Sequence, residues 1–336
     1  MAQQWWWCLV VMLGGGCPAE PDPPEGELGA FELAIETQDG ALLSVWGRAA
    51  DDVLAVGGQQ ASLADAGNAL MLHGDGEAWT KVELPADTPL LNWVWGQGGT
   101  TWTVGNAGAA LRDDGGGWQP QPTGVDAPLW GVWGSAVDDV WAVGGDAFTG
   151  PPVLVHFEGD SWHSVDVPPL DRDAKALFKV WGTAADDVHA VGDAGVILHF
   201  DGTAWTQSPS GTGNDLISLW GTGADDIVAV GGRANGTLAR FDGAAWTVQT
   251  LGALPGCNGV WVDTSGDAIV VGDRGTIATL SPGSFEFETT KVAGVLPYAL
   301  HAVFGFDDGT RFAVGGNLLE PPPWRGVLVS RTRASP

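Results

Sequence analysis

From residue 41 onward the chain alternates short runs of Val, Ala, Leu and Trp with Gly and Asp punctuation, and no helix fits between the breaks. One unit, LFKVWG TAADD VHAVGD AGVILHFDG TAWTQS from Leu177 to Ser208, shows the pattern. Its four β-rich runs are separated by turn residues and define strands a, b, c and d. Six further units share its anchor: Val45-Trp46-Gly47, Val94-Trp95-Gly96, Val132-Trp133-Gly134, Leu219-Trp220-Gly221, Val260-Trp261-Val262 and Val303-Phe304-Gly305. Anchors follow one another at 49, 38, 48, 39, 41 and 43 residues, the period of a four-stranded propeller blade.

Counting strands closes the ring. After the seventh anchor the chain supplies strand a (Leu300 to Phe304), strand b (Thr310 to Val314) and strand c (Gly326 to Arg331), but no strand d. The segment AFELAIET, Ala30 to Thr37, resembles SFEFETT, Ser284 to Thr290, in the strand d slot of the sixth unit. The pattern therefore predicts an all-β, seven-bladed propeller of four-stranded antiparallel blades, closed by the N-terminal strand, about residues 30–37, completing the last blade.

Composition narrows the function classes. A hydrophobic fraction of 44% and a mean hydropathy of +0.06 mark a chain that folds rather than an acidic disordered one. Fourteen basic residues against forty-one acids, a net charge of -27, argue against nucleic acid and against anionic lipid surfaces as partners. Thirty of the acids are Asp, which favours turns.

The first residues carry a separate signal. An apolar run from Trp5 to Leu13 is too short to span a bilayer but suits a secretory signal, and it ends in Gly14, Gly15, Gly16 and Cys17. This small-residue stretch before Cys resembles the bacterial lipobox, which implies a signal peptide over 1–16 and lipidation of Cys17. A Pro- and acid-rich tether follows over 17–29, then the propeller over 30–331 and a tail over 332–336. Cys8 would leave with the signal, so Cys257 is the only thiol expected in the folded part.

The repeats resemble bacterial propellers built from VWG-x-x-x-x-DDVWAVG-x-x-G-x-ILHFDG-x-x-W units, of the kind found in myxobacterial surface lipoproteins. They are distantly similar to photosystem II assembly-factor propellers and to the Asp-box (BNR-type) propellers. The D-G-x-x-W turn, as at Asp201-Gly202 to Trp205, is one residue shorter than the Asp-box. The resemblance implies the fold and leaves function to the loops.

Most repeated residues read as scaffold. Trp46, Trp95, Trp133, Trp181, Trp220 and Trp261 in strand a, and Trp79, Trp118, Trp162, Trp205 and Trp246 in strand d, are expected to pack between blades, with Phe304, Phe285 and Phe31 filling the remaining slots. The Asp pairs 51-52, 138-139, 186-187, 225-226 and 307-308 are expected to accept hydrogen bonds from turn backbone rather than hold calcium. His73, His156 and His199 recur at the end of strand c and read as structural, while His163, His189 and His301 are isolated. Motifs for zinc proteases, serine hydrolases, phosphate loops and zinc fingers are absent, so no catalytic residue, metal or cofactor is expected.

Length variation concentrates in the b-to-c and d-to-a connections, which emerge on one face of a propeller. That face is expected to carry Phe148, Arg233, Arg274, Tyr298, Trp324 and Arg325, a set of Arg and aromatics suited to recognition. The leading expectation is a lipid-anchored, non-enzymatic, monomeric propeller of the cell envelope, at the outer membrane or cell surface, binding a protein or glycan. Two alternatives stay open. One is a sialidase-like glycoside hydrolase using Arg233, Arg274 and Arg325 with Tyr298 and Glu320; the other is a passive scaffold of envelope assembly.

Overall fold

The structure is a computed structural model that describes residues 29–60, 68–252, 254–281, 286–289, 298–318 and 320–332, the 286–289 segment by its backbone alone. The expected signal, Cys17 and most of the tether, together with Phe285, lie outside the described residues. Each blade is a four-stranded antiparallel meander. Blade 1 comprises Ala41–Ala49, Asp52–Gly58, Ala69–Gly74 and Trp79–Lys81; blade 2 Leu91–Gln97, Thr100–Gly105, Ala110–Asp113 and Gln119–Pro120; blade 3 Leu129–Ala136, Asp139–Gly144, Val153–Glu158 and Ser161–Val165. Blade 4 comprises Leu177–Ala184, Asp187–Gly192, Ile197–Phe200 and Trp205–Ser208; blade 5 Leu216–Gly223, Asp226–Gly231, Gly236–Phe241 and Trp246–Leu251; blade 6 Cys257–Val262, Ala268–Gly272, Thr276–Leu280 and Glu286–Thr289. In blade 7, Ala299–Gly305, Arg311–Gly316 and Gly326–Arg331 are joined by Glu32–Thr37 from the other end of the chain. The innermost strands touch their neighbours all the way round, blade 7 against blade 1 included.

The VWG motif is a packing device. A methyl group at Gly96, Gly182 or Gly221 would lie 2.5, 2.8 or 2.7 Å from Cη2 of Trp46, Trp133 or Trp181 in the preceding blade. None of these three glycines has a left-handed φ, so close approach, not backbone conformation, requires glycine there. The strand d tryptophans form a second, outer layer: Trp162 meets Trp102 of blade 2 edge-on at 5.3 Å, and Trp205 meets Trp141 of blade 3 at 5.1 Å. Trp118, Trp162, Trp205 and Trp246 are buried, which leaves them no open face for stacking a sugar.

The Asp pairs work differently from the expectation. The second Asp of four pairs braces side chains instead of turn backbone: Asp52 with Arg48 and His73, Asp139 with Ser135 and His156, Asp187 with Thr183 and His199, Asp226 with Thr222 and Arg240. Asp308 alone follows it, accepting from the Thr310 N–H at 2.7 Å. Backbone turns are held instead by the Asp of D-G-x-x-W; Asp201 Oδ1 accepts from the N–H groups of Thr203 and Ala204. The difference arises because the second Asp of these four pairs opens strand b, where its side chain falls beside strands a and c, whereas strand b of blade 7 begins only at Arg311.

Side chains also meet across the axis. Lys179 of blade 4 passes over Gly131 of blade 3 and sets its Nζ 3.1 Å from the centre of the Trp93 ring in blade 2, while donating to the Trp130 carbonyl at 3.3 Å. Trp220 of blade 5 meets Phe304 of blade 7 edge-on at 5.8 Å. Burial pushes the Lys179 ammonium well below 10.5, and burial together with the charge of Lys179 lowers His301 of blade 7 to about 4.

Two outcomes follow. Phe31 is buried and Leu33 and Ile35 are half-buried on the same side of the closing strand, a burial worth about 4 kcal/mol, a large part of a typical net stability. A chain beginning at Asp39 should therefore melt at least about 5 °C below one beginning at Glu27, or fail to fold, and equal melting temperatures would exclude closure by this strand. For Lys179, the cost of charging is full below its depressed folded pKa and fades as the pH rises to 10.5, where the unfolded chain also loses the proton. Lys179→Met is expected to raise Tm at pH 7 and to lose most of that gain by pH 10; a lowered Tm at pH 7 would mean that the Trp93 and Trp130 contacts outweigh burial.

Candidate functional site

Antiparallel meanders place the b-to-c and d-to-a connections on one face and the a-to-b and c-to-d turns on the other. In blades 2, 4 and 6 the b-to-c connection is a tight turn, Asn106–Gly108, Asp193–Gly195 and Asp273–Gly275. Its middle residue is left-handed in all three, Ala107, Ala194 and Arg274 at φ 53°, 53° and 60°. The strained backbone of Arg274 thus belongs to the turn type, and its exposed guanidinium is carried outward by it. Longer b-to-c connections in blades 3, 5 and 7 carry Phe148, Arg233, Trp324 and Arg325, and Tyr298 ends the d-to-a connection into blade 7.

Phe148 stands on the blade 3 loop, 89% exposed, the only large hydrophobic so exposed among the described residues. Its loop is held: Asp146 Oδ1 accepts from the Phe148 N–H at 2.9 Å and Asp146 Oδ2 from the Thr149 hydroxyl at 2.8 Å. These bonds hold the Asp146 carboxyl below its usual range.

The arginines do not share an acid. Arg233 Nε donates to Asp215 Oδ2 at 2.5 Å, whereas Arg325 Nη1 lies 3.9 Å from Glu36 Oε1. Arg274 and Tyr298 are neighbours through the bond from the Gly275 N–H to the Tyr298 carbonyl, 2.6 Å. The carboxylate clamp that a sialidase-like reading requires would have to displace both acid partners. Asp193 beside Asp215 is raised by burial and by that neighbour; burial also pushes Asp215 up, but the Ala194 N–H and Arg233 hold it below the usual range.

Trp324 and Arg325 lie on the blade 7 loop, which is tied to blade 1 by a residue the sequence did not single out. Gln59 donates to the Trp324 carbonyl and accepts from the Trp324 N–H, both at 2.7 Å. Asn317 Oδ1 accepts from the Arg325 N–H at 2.6 Å, and the Trp324 indole donates to the Glu320 carbonyl at 3.0 Å. On the same face a shallow groove of about 540 Å³ runs between 85–89, 107–111 and 120–126, lined by Pro85, Pro89, Ala107, Pro120, Pro122 and Val125. Its signal in the sequence was the proline content of two d-to-a connections.

The opposite face holds a cluster that the sequence reading missed. His189 is not isolated: it pairs directly across from His199, and both Nε2 atoms approach Asp187 Oδ1, at 3.2 and 2.9 Å. The His189 ring is 2% exposed and packs against Phe241 and Trp246 of blade 5. Its approach to Asp187 falls outside hydrogen-bonding geometry, so neither ring nitrogen has a hydrogen-bond partner. Burial, and then the charge of His199, lower it to about 4.

No family model matches the chain, and no curated protein matches its sequence. Solved structures do match. A structure described as YCF48 bound to D1 peptide superposes with a TM-score of 0.63 at 15% identity, covering 94% of this chain and 99% of that one. YCF48 from Cyanidioschyzon merolae gives 0.65 at 15%, covering 90% and 98%. The WD40 β-propeller domain of Doa1 gives 0.66 at 11%, covering 89% and 96%. At these identities the likeness shows the fold, a seven-bladed β-propeller, and bears out the expected propeller resemblance at that level.

Proposed function

We propose that this chain is a non-enzymatic binding propeller that grips a protein partner through its variable face, with Phe148 as an anchor. The observation that carries the reading is a large aromatic held almost fully in solvent by a loop whose own hydrogen bonds fix it. Exposing a Phe forgoes about 2 kcal/mol of burial, and a fixed loop lowers the ordering cost of contact. The proline-lined groove beside blade 3 is shaped for an extended segment of such a partner, and one structural neighbour is described with a peptide bound. A net charge of -27 favours a basic partner and an association rate that falls with salt.

The proposal extends to location. The closing strand begins beside Thr332, on the face opposite the variable loops, where the Gly29 N–H donates to the Thr332 carbonyl. A lipid on Cys17 and a tether of twelve residues, at most about 40 Å long, would then hold the uniform face toward the membrane and turn the variable face away.

Each part has its own test. Crosslinked pull-downs from envelope extracts should recover a partner with the unaltered chain and lose it at least about tenfold with Phe148→Ala at unchanged Tm. Recovery of the same partner at equal yield by the variant would remove Phe148 from the interface. In a bacterial host that lipidates proteins, Cys17→Ser should move the chain from the membrane fraction to the soluble one; an unchanged distribution would exclude the anchor.

A further inference from the structure

The propeller supplies its own controls, because each blade repeats the same positions. The residue of strand b paired with the strand a aromatic is Leu54, Trp102, Trp141, His189, Val228, Ile269 and Phe312 in blades 1 to 7. Six are apolar or indole and one is imidazole. The outer packing layer thus asks only for bulk at this position, and Trp102 and Trp141 also leave a buried indole nitrogen without a hydrogen-bond partner there; His189 differs in setting an imidazole against both Asp187 and His199.

What differs in blade 4 is the neighbourhood. Blades 1 and 3 also place an acid at the start of strand b against a His of strand c, Asp52 with His73 at 3.1 Å and Asp139 with His156 at 2.5 Å. There the facing side chain is Leu54 or Trp141, so two donors meet. In blade 4 the third donor is His189, and the ligand atoms of Asp187, His189 and His199 all lie within 4.8 Å of one another.

We propose that Asp187, His189 and His199 form a three-ligand site for a borderline divalent cation, Zn²⁺ being the representative, on the uniform face of blade 4. A cation about 2.1 Å from each of three ligands sets neighbouring donors about 3.0 to 3.4 Å apart. The two imidazole-to-carboxylate separations, 3.2 and 2.9 Å, are of that size; the two rings stack at 4.5 Å and 21°, so at least one must turn about its Cβ–Cγ bond for both Nε2 atoms to meet one cation. Two imidazoles and one carboxylate select such cations over Ca²⁺ or Mg²⁺, which take oxygen ligands. Thr183 donates to Asp187 Oδ2, fixing the carboxylate while Oδ1 stays turned to the two rings. The Asp187 and His199 side chains are 23% and 33% exposed, so a cation would reach the site from solvent.

The test uses the full chain, stripped with chelator and titrated with Zn²⁺ by calorimetry, and with Co²⁺ by visible absorption. One equivalent should bind with a rise in Tm. Affinity should fall at least about 100-fold in His189→Leu, which restores the residue type of blade 1, and stay unchanged in His73→Leu. The absence of a saturable single site, or equal affinity in His189→Leu, would overturn the proposal by reducing the binding to diffuse acidic surface. Should His189→Leu fail to fold, imidazole nitrogen spectra of the unaltered chain decide. Zn²⁺ should shift the Nε2 signals of His189 and His199 together, and signals that do not move would overturn it.

Discussion

The fold depends on a contact that recurs between blades, an indole of one blade laid over a glycine of the next. Trp46 on Gly96, Trp133 on Gly182 and Trp181 on Gly221 let the innermost strands approach more closely than any side chain would permit. The contact is not universal: blade 6 has Val262 in the glycine place, and there Trp220 of blade 5 and Phe304 of blade 7 meet edge-on instead. Where blade 7 meets blade 1 the aromatics are phenylalanines: Phe304 reaches Trp46, and Phe306 lies beside Gly47. The ring therefore closes at a joint that departs from the indole-on-glycine pattern, which is also where the N-terminal strand completes the sheet.

A second layer outside this one is less exacting. It packs a strand d indole against a strand b side chain of the preceding blade, and Trp102, Trp141, His189 and Phe312 all serve. A layer that accepts Leu, Val and Trp alike tolerates chemistry at low cost to packing. That tolerance makes His189 possible: the imidazole keeps aromatic contact with Phe241 and Trp246 on one side while its nitrogens lie near the Asp187–His199 brace on the other.

Fold, blade number and closure were legible because every element of the motif is local. VWG, DDVWAVG and D-G-x-x-W each lie within a few residues, and their order alone sets the topology. Contacts across the ring were not legible. Lys179 over Trp93 links blades 4 and 2, and Gln59 with Trp324 links positions 265 residues apart. The face bearing Phe148, Arg233, Arg274, Tyr298, Trp324 and Arg325 followed from the meander, but which of them lean on one another did not, since that depends on acids in neighbouring loops such as Asp215 and Glu36. His189 was hidden for a different reason. Periodicity makes residues readable as scaffold, and an exception within a periodic slot appears as noise until the paired strand shows His199 opposite it.

The two faces divide the labour that a propeller can perform. Turns on the uniform face are short and held by Asp, so a site built there inherits fixed geometry, as the Asp187, His189 and His199 cluster does. Outside the tight turns of blades 2, 4 and 6, connections on the variable face are longer and held by bonds particular to each loop, so a residue there can change without disturbing its neighbours. Phe148 shows the result: its loop is held by Asp146 and by the Trp130 indole, which donates to the Gly145 carbonyl, while the Phe148 ring itself stands in solvent. With the chain end leaving from the uniform face, a tethered molecule would present partners with the adaptable surface and keep the rigid one beneath it. Recognition and cation binding would then be separable, because the strands between them are locked by packing rather than by either ligand.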